Sequence, residues 1–95
     1  MIINNSEENI VKISKALSDK TRLRMLEEIS KRGSICCGDA ENIAELSQPT
    51  VSHHIKILTE AGLLNAEKNG RHVKITVNKK ELINYKKLLS DSMNK

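Results

Sequence analysis

From Glu7 onward apolar side chains recur at Ile10, Ile13 and Leu17, with Val11 and Ala16 beside them, and this spacing predicts an amphipathic helix. Ser18 and Asp19 then offer N-caps for a second helix that places Leu23, Leu26 and Ile29 on one face and stops at Gly33. After the segment SICCGDA, a short apolar set of Ala40, Ile43 and Ala44 fits a two-turn helix beginning near Asp39. Ser47 is placed to cap the next run, SQPTVSHHIKILTEAG. There Pro49 falls in the first turn, Val51, Ile55 and Leu58 share a face, and Gly62 supplies a left-handed stop.

Beyond Gly62 the period changes from 3.6 to 2. Leu64 and Ala66 alternate with polar neighbours, as do Val73, Ile75 and Val77, and Asn69-Gly70 between them is the dipeptide favoured in two-residue type I′ hairpins. From Lys79 a last helix carries Leu82, Tyr85, Leu89 and Met93 on one stripe, widened by Ile83 and Leu88. The expected fold class is therefore mainly α with a β-hairpin wing, in the order helix, helix, helix, helix, hairpin, helix. That is the winged helix-turn-helix order. With no internal repeat and no Pro/Gly linker, residues 1–95 are read as one domain.

Composition narrows the partners. Sixteen Lys and Arg against twelve Asp and Glu give a formal net charge of +4, which favours polyanions. One Tyr, no Trp and no Phe leave no aromatic platform for stacking unpaired bases, so double-stranded DNA is favoured over RNA or single strands. No apolar run approaches a membrane span and the first residues lack a signal-peptide pattern, so a cytoplasmic, non-membrane protein is expected. No Gly-rich phosphate loop and no hydrolase-like His spacing points to an enzyme.

In a helix-turn-helix the second helix enters the major groove and offers bases its N-terminal side chains. The candidates here are Ser47, Gln48, Thr50, Ser52, His53, His54 and Lys56. Their hydroxyl, amide, imidazole and ammonium groups match base edges and phosphates, and no acidic residue intervenes before Glu60. Lys68, Asn69, Gly70, Arg71 and His72 make a cationic hairpin tip suited to phosphates or an adjacent minor groove. The first and last helices carry apolar stripes larger than a chain of 95 residues easily covers, which marks them as a homodimer interface. A two-fold dimer would read an inverted-repeat operator with half-sites about one turn, roughly 34 Å, apart.

The strings ALSDKTRLRMLEEI, LSQPTVSHHIKILTEAGLL and NGRHVKITVN together resemble the ArsR/SmtB family of winged-helix transcriptional repressors. The resemblance runs from about Ile10 through the last helix. It implies a homodimeric repressor that binds operator DNA and is released by a metal ion or another effector, with Ser47, Gln48, Thr50, Ser52, His53 and His54 as DNA readers.

The two cysteines stand side by side, and neighbouring positions are awkward for a disulfide. Metal-responsive members of that family carry Cys-x-Cys-Asp-Leu at this place. The alignment sets Cys36 on the first cysteine, Cys37 between, Gly38 on the second, Asp39 on the aspartate and Ala40 on the leucine. Thiolates suit soft ions, but a closed site needs three or four ligands, and the last helix has no His. Three readings are open for Cys36 and Cys37: core filler, a redox or sulfur-modification switch, or an incomplete or subunit-shared site for a thiophilic metal ion. No cofactor is certain. For the chain as a whole, the alternatives to a DNA-binding repressor are a thiol-based redox switch and a winged helix used only for protein contacts.

Overall fold

The computed structural model describes residues 5–36, 38, 39, 42 and 47–94. Among them the chain forms α1 (Asn5–Leu17), α2 (Lys20–Arg32), β1 (Ile35–Cys36), α3 (Gln48–Glu60), β2 (Leu64–Asn69), β3 (His72–Val77) and α4 (Lys79–Met93). The short helix expected from Asp39 lies outside the described residues, save Asp39 and Asn42, which carry helical backbone.

Local chemistry sets the helix ends. Glu7 and Glu8 lie in the first turn of α1 and Lys15 in its last, matching the helix dipole. Asp19 caps α2 by accepting from the Arg22 N–H at 3.1 Å, and Gly33, at φ 85°, donates to the Ile29 carbonyl to close it. Pro49 sits in the first turn of α3. That helix ends in a Schellman motif: the Gly62 N–H (φ 84°) bonds the Thr59 carbonyl and the Leu63 N–H bonds the Leu58 carbonyl. The turn drives Leu63 into the core and sends the chain into β2. Asn78 closes the hairpin's open end by donating to the Leu63 carbonyl, then caps α4 by accepting from the Glu81 N–H.

The sheet is antiparallel with order β1-β3-β2. Its inner face, from Ile35, Leu64 and Ile75, meets Ile13 and Ala16 of α1, Met25, Leu26 and Ile29 of α2, and Val51, Ile55 and Leu58 of α3. Three details differ from the expectations. On α2 it is Met25 that is buried while Leu23 is exposed, because the core lies to one side of the predicted stripe. Ala66 pairs with the buried Ile75 yet is exposed, since β2 is an edge strand of the sheet while Ile75 lies on the central one. The pairing of Asn69 with His72 makes Gly70 and Arg71 the two loop residues, one place later than Asn69-Gly70, with Gly70 at φ 62° as the primed hairpin turns require.

Helix α4 lies across α1, where the Tyr85 hydroxyl and Ser14 Oγ hydrogen-bond at 2.9 Å. Leu82 and Tyr85 pack on the core, but no α4 residue is fully buried, and Ile83 and Met93 are 68% and 74% exposed. Among the described residues no helix is long and apolar enough to cross a membrane.

Candidate nucleic-acid interface

Helix α3 has two sharply different sides. Val51, Ile55 and Leu58 are buried, and the helix packs against β2 and the first two helices. Ser47, Thr50, Ser52, His53 and Lys56 are all exposed, so five of the predicted readers share the open side. Ser47 Oγ lies 3.2 Å from Thr50 Oγ1 and makes no capping bond to the backbone, which leaves the first turn's N–H groups directed outward. The backbone of Gln48 starts the helix; its side chain lies outside the described residues.

His54 departs from the prediction. It is only 9% exposed, and its Nδ1 lies 3.3 Å from Arg22 Nη1. Its place on the helix turns it toward the α1–α2 junction, so it is not available to a base edge as its neighbour His53 is. The signal that could have found this is the arginine. Arg22 sits three residues past the Asp19 cap, on the side of α2 facing α3, and a half-buried guanidinium needs acceptors.

The hairpin brings Lys68, Asn69, Gly70, Arg71 and His72 together at one exposed tip, as predicted. Among the described residues neither Lys68 nor Arg71 forms an ion pair; the pairs present are Arg22–Asp19, Lys31–Glu28 and Arg32–Glu28. The one clear pKa displacement is at Asp19. Its carboxyl is held below the usual carboxylate range chiefly by the hydrogen bond from the Arg22 N–H, which together with the nearby guanidinium outweighs desolvation.

Strand β1 was not anticipated, and it fixes Cys36. Ile35 pairs with Ile75 and points inward, while Cys36 pairs with Lys74 and is exposed. Core filler is therefore ruled out for Cys36; Cys37 lies outside the described residues. The Cys36 N–H donates to Asp39 Oδ2 at 3.2 Å, and Cys36 shares a shallow surface depression with Asp39, Asn69, His72 and Lys74. Among the described residues no three His, Cys, Asp or Glu side chains converge to hold a metal ion.

A polar helix face, free of acidic side chains before Glu60 and set above a buried one, followed by a cationic hairpin, is the arrangement of a winged helix-turn-helix. Residues 19–66 match the family model described as bacterial regulatory protein, arsR family. The cadmium resistance transcriptional regulatory protein CadC homolog of Staphylococcus aureus is 38% identical over 65 residues, covering 68% of this chain and 54% of that protein. The arsenical resistance operon repressor of Bacillus subtilis is 41% identical over 56 residues, 59% of this chain and 53% of that protein. The chain thus spans about half the length of these relatives. An ArsR-like transcriptional regulator from Rhodococcus superposes with a TM-score of 0.86 over 96% of this chain and 85% of that one, at 22% identity. A homodimeric winged helix-turn-helix DNA-binding domain from Mycobacterium bovis gives 0.73 over 90% and 79%, at 16% identity. The chain belongs to the arsR family of bacterial regulatory proteins.

Proposed function

We propose that the chain is a homodimeric repressor that reads an inverted-repeat operator in double-stranded DNA and is released by an effector. The observation that carries this reading is the open side of α3. Ser47, Thr50, Ser52, His53 and Lys56 form an uninterrupted set of hydrogen-bonding and cationic groups on a helix whose other side is anchored in the core. Thr50, Ser52 and His53, with Gln48, are the base readers; Lys56, Lys68, Arg71 and His72 contact phosphates, with Gly70 and Arg71 making the turn that Asn69 and His72 close.

The dimer is supported by the exposed apolar side chains of the first and last helices, Val11, Ile83 and Met93, and by an α4 without a fully buried residue. The Mycobacterium neighbour is described as homodimeric, which agrees with this. For the effector, the exposed thiol of Cys36 favours a thiophilic metal ion or a thiol-reactive species over a buried structural role.

The test is selection of a duplex from a randomised pool, followed by gel shift and stoichiometry on the selected sequence. An imperfect inverted repeat bound by two chains supports the proposal. A protein that enriches no duplex is a protein-contact module instead, and saturation by one chain per site refutes the dimer. With the duplex in hand, Cys36→Ser should keep operator affinity and lose the response to thiophilic metals or oxidants. A wild type indifferent to both ends the sensing role.

A further inference from the structure

A part-buried polar contact lies on the far side of α3 from its exposed groups. Arg22 has a side chain only 14% exposed and spends its donors on three helices. Nε bonds the Ala16 carbonyl at 2.7 Å, a group that the end of α1 leaves unpaired, and Nη2 reaches the Lys15 carbonyl at 3.3 Å, which also accepts from the Ser18 N–H and hydroxyl. Its backbone N–H meets the Asp19 cap of its own helix, and Nη1 reaches His54 Nδ1 on α3. A guanidinium has no acceptor, so this hydrogen bond requires His54 Nδ1 to accept and the ring to carry its proton on Nε2.

We propose that His54 is a positioning residue. As a neutral acceptor for Arg22 it holds α3 in register with the α1–α2 junction, and taking a proton releases that hold and weakens operator binding. This rests on the reading of α3 as the DNA-reading helix. Protonation turns Nδ1 into a donor facing a donor and sets two cations side by side. The charged and titratable groups around the ring are the Arg22 guanidinium and Asp19 carboxylate from the start of α2, and His53, whose ring centroid is 6.1 Å away on the same helix. Lys12 and Lys15 of α1 and Glu60 of α3 line the groove beside Arg22. The Asp19 carboxylate interacts with both Arg22 and His54.

The sign separates this effect from ordinary DNA electrostatics. Ordinary electrostatics works the other way, because positive charge added to an exposed surface strengthens attraction to phosphates. His54 opposes that gain. His54→Asn keeps an acceptor near the Nδ1 position that cannot take a proton, and His54→Leu removes it.

The experiment measures the affinity of the full chain for the selected duplex from about pH 8 to about pH 5.5 at fixed salt, for the wild type and both variants. It is paired with imidazole nitrogen NMR and amide exchange on the DNA-free protein. At about pH 8, His54→Asn should bind within about threefold of the wild type and His54→Leu about tenfold more weakly, as expected for losing a hydrogen bond to a charged group. On acidification His54→Asn should gain about tenfold more affinity than the wild type. Parallel pH profiles, or a proton on Nδ1 at about pH 8, overturn the proposal. A wild type that binds no duplex refutes the operator reading instead. The positioning role is then decided by exchange along α3: faster in His54→Leu and unchanged in His54→Asn supports it, and equal protection in all three refutes it.

Discussion

Replacing Lys68 and Arg71 together by Ala removes the two strongest cations of the hairpin tip without touching the core. Both are exposed and unpaired with any acidic side chain among the described residues, so stability should change by no more than about 0.5 kcal/mol. The effect on DNA is large. Each neutralised phosphate contributes about 0.9 to the slope of log affinity against log salt, and a dimer with two wings loses up to about four such contacts, or about 3.6 in slope. Between about 50 and 200 mM salt, the wild type's advantage over the double variant should therefore shrink by about two decades. Fluorescence anisotropy titrations at four or five salt concentrations on one labelled duplex measure both slopes directly. Equal slopes, with thermal unfolding unchanged, would refute the assignment of the wing to phosphates.

Leu58 is fully buried where α3 meets the core, so Leu58→Ala should cost about 2–5 kcal/mol by urea unfolding, a large share of the total for a small domain; a loss under about 1 kcal/mol would mean that the site collapses around the gap. Asp19 has a carboxyl held below its ordinary range in the folded chain, so its contribution is present above the unfolded carboxylate range and is lost as pH falls through the folded value. Asp19→Asn keeps a capping oxygen but cannot titrate, and its urea midpoint should fall less steeply with acid than that of the wild type; identical pH dependence would show that the Arg22 contact carries no linkage. Because Cys36 is exposed on β1, brief alkylation of the folded protein should label it at nearly the rate seen in urea by peptide mapping, and strong protection would contradict its place at the strand.

Periodicity located every long element because each must bury one face. The stripe Val51, Ile55, Leu58 defines α3, and the alternation Val73, Ile75, Val77 defines β3. Strand β1 escaped because two residues hold no period; Ile35 and Cys36 become a strand only by pairing with Ile75 and Lys74, far along the chain. That same pairing turns Cys36 outward, which no property of the SICCGDA segment by itself determines. The hairpin loop was misplaced by one residue because the Asn-Gly preference is local. The observed register pairs Leu64 with Val77, both facing the core, and so puts Gly70 and Arg71 at the tip. His54 was the error of consequence for the site. A polar residue beside an exposed histidine reads as part of the same face until its partner, Arg22, is brought within 3.3 Å by the fold.

The central claim is that the exposed side of α3 reads bases, and His53 tests it most directly because it is exposed and contributes no described bond to the core. The measurement is the ratio of affinities for the selected operator and a scrambled duplex of equal length, at one salt concentration, for the wild type and His53→Ala. The account predicts a ratio lower in the variant by about 1–3 kcal/mol while binding to the scrambled duplex holds steady. A ratio that survives the substitution, or a loss shared equally by both duplexes, would contradict it.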